Sequence, residues 1–210
     1  MNVAVLSESP ADEAAVRILI GGILGSSTQV VSYPPLRMRG WPSILQLLPS
    51  VLKHLHYQTD TEALALVIDS NNSPVHDPTH EEVGRAEEDC RICKLRKVVS
   101  QTHRQLRPVQ GRQPVKTAIG LAVPSIEAWY RCGVDGRVTE AAWILGMQSG
   151  SFPYTKNGLK RDVYKTERPS LSLEEKRAVE EANRLVHNLE LLENLFPNGF
   201  GTLAKDVRSW

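Results

Sequence analysis

The sequence contains no uninterrupted apolar stretch approaching the ~18 residues that a membrane-spanning helix needs. A secretory leader is not expected either, because Glu8, Asp12, Glu13 and Arg17 stand around the first apolar runs. Cysteine is scarce: three residues cannot all pair, which argues against a disulfide scaffold. These absences together lead to the expectation of a cytoplasmic protein. Two glycine signatures are also missing, the Gly-x4-Gly-Lys-Ser/Thr loop and a Gly-x-Gly-x-x-Gly turn after a strand, so the chain carries no nucleotide-cofactor motif of its own. A last absence is local. No acid occurs between Arg91 and Lys116.

The 210 residues suit a single domain with, at most, an appendage. Apolar residues make up 41%, and 25 basic side chains nearly balance 24 acidic ones, which excludes a highly charged disordered chain. The acid-free stretch nevertheless holds Arg91, Lys94, Arg96, Lys97, Arg104, Arg107, Arg112 and Lys116. Such a run suits a phosphate backbone, although a solvated helix face followed by a basic loop would read the same way.

Strand and helix patterns alternate. Val3–Leu6 is a short apolar run, and 12–24 repeats apolar residues at helical spacing. Gln29–Tyr33 is β-branched, and 41–56 reads as a helix punctuated by Pro49. Leu64–Ile68 and Thr117–Val123 are continuous apolar runs of the kind buried on both faces of a parallel sheet. A helix is expected from Glu81 to about Leu106, an irregular segment over 146–172, and one long final helix carrying Ala178, Ala182, Leu185, Leu189, Leu192 and Phe196 on one stripe. The fold class is therefore α/β with a mostly parallel sheet flanked by helices.

In such sheets ligands collect beyond the carboxyl ends of the strands. Glu8, Asp69 and Glu127 each follow a predicted strand, and neighbouring strands would bring them to one crevice. Clustered carboxylates stay ionised together only when cations compensate them, and oxygen ligands suit Mg²⁺ or Mn²⁺. Asn71, two residues beyond Asp69, offers a further neutral oxygen. The plainer alternative makes each acid a helix cap or turn former. For Asp12, in a first helical turn, a dipole role is preferred.

Three segments resemble the Toprim domains. Val5-Leu6-Ser7-Glu8-Ser9-Pro10-Ala11-Asp12-Glu13 is similar to their opening motif, an apolar strand ending on glutamate, with an aspartate four positions later. Ala65-Leu66-Val67-Ile68-Asp69-Ser70-Asn71 stands in the place of their Asp-x-Asp motif. Val123-Pro124-Ser125-Ile126-Glu127-Ala128-Trp129 and the later Phe196-Pro197-Asn198-Gly199-Phe200-Gly201 resemble Toprim-like proteins of unknown function related to the OLD nucleases and to RloB. Ser9 replaces the usual glycine and Asn71 the second aspartate.

The resemblance implies a Toprim-like core over 1–145 with a helical, basic insertion at about 76–115, and a basic loop plus a long amphipathic helix over 146–210. It further implies metal-dependent cleavage of nucleic-acid phosphodiesters, with DNA favoured over RNA, in defence against phage or mobile elements beside a separate ATPase subunit. Glu8, Asp69 and Glu127 would be the catalytic and metal-binding acids, Asn71 a weak ligand, and Lys160 the cation facing transition-state charge. Arg91, Lys94, Lys97, Arg104 and Arg107 would hold nucleic acid. Two other readings follow from Ser9 and Asn71 and from the chemistry: a catalytically degenerate module that binds nucleic acid or a partner protein, and a metal-dependent phosphohydrolase of small substrates.

His76-x3-His80 is followed, nine residues on, by Cys90-x2-Cys93, a set that could close a structural Zn²⁺. The favoured alternative is polar loop histidines beside reduced cysteines, because a Cys-x2-Cys knuckle needs a turn and both cysteines fall in the predicted helix. His103 is a fallback ligand. His54 and His56 read as surface residues, Cys132 as a small buried one, and Trp41, Trp129 and Trp143 as core.

Overall fold

A computed structural model describes residues 1–25, 29–31, 40–81 and 89–210. Its centre is one four-stranded parallel sheet in the order β2-β1-β3-β4, formed by β1 (Asn2–Ser7), β2 (Gln29–Val31), β3 (Ala63–Asp69) and β4 (Lys116–Ala122). The register sets Ala4 beside Leu64 and Leu64 beside Thr117.

The continuous apolar runs have a direct structural counterpart: alternate residues feed two separate cores. Val3, Val5, Ala65 and Val67 point to one face, while Ala4, Leu6, Leu64 and Leu66 point to the other. On the first face lie α1 (Pro10–Leu24), α7 (Leu171–Val186) and α9 (Thr202–Arg208); on the second lie α2 (Trp41–Gln58) and α3 (Arg91–Gln105). Ser9 caps α1, its hydroxyl accepting the Asp12 N–H at 3.1 Å, with Pro10 in the first turn where a missing donor costs nothing. Gly22 lets α7 come close, since a Cβ there would stand 2.9 Å from a Val186 methyl.

Because α1 leads from β1 outward to β2 and α2 crosses back to β3 on the other side, the strand order reverses between β1 and β3. A crevice at the carboxyl ends follows from that reversal alone. Beyond β4 the chain forms α4 (Ile126–Tyr130), α5 (Glu140–Ser149), α6 (Lys156–Tyr164), α7, α8 (Leu189–Leu195), a π-helical turn at Pro197–Gly201, and α9. Among the described residues, no helix is long and apolar enough to cross a membrane.

Four expectations are corrected. The single final helix is two helices, because Asn188 leaves helical geometry and its N–H bonds back to the Leu185 carbonyl at 2.8 Å. The stripe survives the break, with Ala178, Ala182 and Leu185 on α7 and Leu192 on α8 all fully buried. The supposedly irregular 146–172 contains α6, capped by the Thr155 hydroxyl on the Gly158 N–H and anchored by buried Leu159 and Val163 one turn apart. The helix expected from Glu81 begins only at Arg91, after a single 3₁₀ turn at Pro78–Glu81, with 82–88 outside the described residues. Finally, His56 is buried rather than at the surface, its Nε2 3.0 Å from the Arg107 carbonyl.

Candidate active site

Three adjacent strands deliver three acids to the crevice. Glu8 is the first residue past β1, Asp69 the last of β3, and Glu127 the second of α4, which follows β4 across a short turn containing a cis Val123–Pro124 bond. They interlock through the backbone. Glu8 Oε1 accepts the Asp69 N–H at 3.2 Å, and Asp69 Oδ1 accepts the Ile126 N–H at 3.1 Å. Glu127 is steadied by the buried Ser125 hydroxyl, which donates to Oε2 at 2.5 Å.

Each acid has a cation. Arg91 Nη1 donates to the Asp69 carbonyl at 2.6 Å and stands 3.5 Å from Glu8 Oε1, while its guanidinium stacks on Trp41 at 4.8 Å. Lys156 Nζ donates to Asp69 Oδ2 at 3.0 Å and also to Asn71 Oδ1. Lys160 Nζ lies 4.0 Å from Glu127 Oε1. Lys156 and Lys160 are one turn apart on α6, so that short helix presents both to the acids.

The cations do not hold these carboxyls at their ordinary values. Removal from water, reinforced by Glu127 and Glu8 against the opposing pull of Lys156, raises Asp69 to about 7. Burial lifts Glu8 despite Arg91 and the Asp69 N–H. Asp12 stands well above the usual carboxylate range, through burial first and then the nearby charges of Asp69 and Glu127. Among the described residues no cation pairs with Asp12. The surroundings therefore favour the protonated carboxyls of Asp12 and Asp69, and the hydroxyls of Tyr130 and Tyr164, both pushed upward by burial and by these acids, remain protonated beside them.

Placed on this frame, the expected site residues divide. Glu8, Asp69, Asn71, Glu127 and Lys160 come together. Asn71 takes a left-handed conformation (φ 52°), which asparagine tolerates, and donates its N–H to the Pro124 carbonyl at 2.9 Å. Arg91, expected to hold nucleic acid, faces the acids. Lys94 lies 4.0 Å from Asp89, and Lys97, Arg104 and Arg107 are exposed along α3 and beyond it. Arg107 belongs to the opposite pole, where its N–H meets the Tyr57 hydroxyl at 2.7 Å. A cleft of about 1030 Å³ opens at that pole between Tyr57, Glu62, Arg112 and Lys116, and none of the acids lines it.

Asp12 and Lys156 escaped the sequence reading. Asp12 had a sufficient explanation as a first-turn acid. Lys156 could have been found from its spacing, since Lys156-x3-Lys160 after a Thr155 cap places two cations on one helix face.

As it stands, the crevice does not draw its carboxylates tightly together. Among the described residues, only His76, His80, Cys90 and Cys93 bring their ligand atoms within 4.8 Å of one another, a cluster that could hold a metal ion. Compared with protein-family models, curated proteins and solved structures, the chain gives no significant match.

Proposed function

We propose that this protein is a metal-dependent phosphodiester hydrolase acting on nucleic acid. The observation that carries the reading is the meeting of Glu8, Asp69 and Glu127 beyond three adjacent parallel strands, at the point where strand order reverses, with Lys160 beside them. The donor set fits a hard divalent cation, since Glu8, Asp69 and Glu127 offer carboxylate oxygen and Asn71 an amide oxygen. Mg²⁺ or Mn²⁺ would be held by Asp69 and Glu8 with Glu127 beyond, and would supply Lewis-acid polarisation of a phosphoryl oxygen. Lys156, which donates to Asp69 Oδ2, would have to yield that oxygen for it to serve as a ligand.

The remaining work falls to the chain itself. Lys160 and Arg91 face the crevice from two sides, where cations lower the energy of charge building up on a phosphorane. The raised Asp69 gives the crevice a carboxyl group that exchanges its proton near neutral pH. One observation favours a second reading, a degenerate binding module: Lys156 bridges Asp69 and Asn71, so an internal cation takes over the role of an external one.

The test is cleavage of DNA and RNA oligonucleotides with Mn²⁺, together with Mn²⁺ calorimetry, on the wild type and on Glu8→Ala, Asp69→Ala and Lys160→Ala. Metal-dependent cleavage is expected, with the two acid variants inactive, Asp69→Ala also losing the calorimetric signal, and Lys160→Ala slower by ~10²-fold. Nucleic-acid binding without cleavage, unaffected by Asp69→Ala, would establish the degenerate module instead. Hydrolysis of a small phosphodiester but of no oligonucleotide would make the protein a small-substrate phosphohydrolase.

A further inference from the structure

The second cluster lies on the other side of Arg91. His76 sits in the loop after β3, His80 in the 3₁₀ turn, Cys90 immediately before α3, and Cys93 on its first turn. Cys90 and His76 are buried, and both cysteines are free thiols. The knuckle that a Cys-x2-Cys pair needs is present, because Cys90 has extended backbone (φ −69°, ψ 121°) and the helix starts only after it. Helix onset at Arg91 removes the objection that both cysteines ride on one helix.

Three sulfur–nitrogen distances match those around a tetrahedral zinc, and all four ligand atoms lie within 4.8 Å of one another. With Zn–S of ~2.3 Å and Zn–N of ~2.05 Å, sulfur and nitrogen ligands of one tetrahedral zinc stand about 3.6 Å apart. Cys90 Sγ and Cys93 Sγ are each 3.5 Å from His76 Nδ1, and Cys93 Sγ is 3.8 Å from His80 Nδ1. Two thiolates with two imidazoles form a soft donor set that selects zinc over magnesium or manganese.

We propose that His76, His80, Cys90 and Cys93 form a structural Zn²⁺ site that staples the loop after β3 to the start of α3. Both thiols lose a proton on loading, so two protons leave as one zinc enters, and the bound centre is neutral. His76 Nδ1 faces both sulfurs, while its Nε2 lies 3.1 Å from Arg96 Nη1. Arginine only donates, so Nε2 is the acceptor there and Nδ1 carries the imidazole proton. Ligation through Nδ1 moves that proton to Nε2 and turns the Arg96 guanidinium away.

The staple has a consequence for the crevice. Zinc fixes Cys90, and the next residue is Arg91, whose guanidinium holds Glu8 and the Asp69 carbonyl. This consequence rests on the hydrolase reading; the metal site itself does not.

The experiment is elemental analysis of the full chain after refolding with equimolar Zn²⁺ and desalting, followed by Co²⁺ replacement and absorption spectroscopy. About one zinc per chain is expected, with cobalt giving the sulfur charge-transfer and tetrahedral d–d bands of an S2N2 site. The half-buried ligand variants Cys93→Ser and His80→Ala should each retain less than about a tenth of the metal while keeping the far-ultraviolet circular dichroism of the wild type. A folded wild type without zinc overturns the proposal, and so does a Cys90–Cys93 disulfide seen as the loss of two hydrogens by mass. Zinc retained in full by both variants overturns it as well. Zinc bound as expected by a chain that cleaves nothing would refute the hydrolase reading and leave the zinc site standing.

Discussion

Asp12 is an acid that its surroundings hold toward the protonated form, and its titration makes that measurable. Burial and the charges of Asp69 and Glu127 hold it well above its ordinary value, and Asp69 is raised to about 7. A carboxyl raised in the folded state binds its proton more tightly there than in the unfolded chain. The associated stability is complete below the unfolded value of ~3.9 and is lost as pH rises through about 7. In the absence of divalent cations the melting temperature should therefore fall between pH 5 and pH 8. Asp12→Asn removes a carboxyl whose proton the folded state must hold, so its curve should be flatter and should lie a few degrees above the wild type at pH 8; Mn²⁺ should restore wild-type stability more strongly at pH 8 than at pH 6. Parallel melting curves for the two proteins would sink the idea. The same residue shows where sequence reading stops. Glu8, Asp69 and Glu127 were legible because each ends or follows an apolar run. Asp12 has an adequate local explanation, and only its half-buried place beside three other acids reveals more. Arg91 and Lys156 reach the site from 22 and 87 residues beyond Asp69, on side chains whose direction no spacing specifies.

At the scale of elements, the turn Pro197–Gly201 shows how the C-terminal helices are locked to the sheet. Glu140, buried at the start of α5, accepts the Asn198 N–H at 3.0 Å on one oxygen and the Gly199 N–H at 2.8 Å on the other. Gly199 lies so close to β4 that a Cβ would stand 2.1 Å from the Leu121 carbonyl oxygen. Glu140→Gln leaves one N–H facing an amide donor and should cost about 1–3 kcal/mol. Gly199→Ala must push the turn off the strand, for a loss of ~1–3 kcal/mol or more. Urea unfolding of both variants checks this, and a Gly199→Ala protein as stable as wild type would mean the turn does not dock on β4. The strands and α1 and α2 were legible from apolar periodicity, since their neighbours bury what the pattern exposes. The break between α7 and α8 was not, because the apolar stripe runs through it unaltered and Asn188 alters only the backbone. The α6 helix was hidden by its charge: Lys156, Lys160 and Arg161 read as a basic loop, whereas the two lysines face carboxylates of the site.

Across the whole molecule, the exposed basic side of α3 leads away from the acids of the crevice. The acids occupy the carboxyl end of the sheet, whereas α3 starts beside them at Arg91 and runs back toward the opposite pole, about 22 Å over its 15 residues. Its buried side is Ile92, Leu95, Val99 and Thr102, so Lys97 and Arg104 face water on a track leading away from the crevice. A polymer can touch both that track and the acids, whereas a small ester reaches only the acids. Binding along the track should depend on salt, since each phosphate contact contributes ~0.9 to the slope of log affinity against log salt for duplex DNA and ~0.7 for a single strand. Replacing Lys97 and Arg104 together by Met should lower that slope by about 1.4–1.8 and weaken oligonucleotide binding, while Mn²⁺-dependent hydrolysis of a small phosphodiester stays at the wild-type rate. Fluorescence anisotropy from 50 to 300 mM salt measures the slope. An unchanged slope would put the nucleic acid on another face of the protein, because two exposed cations that carry phosphate contacts cannot be neutralised without changing the number of counterions released.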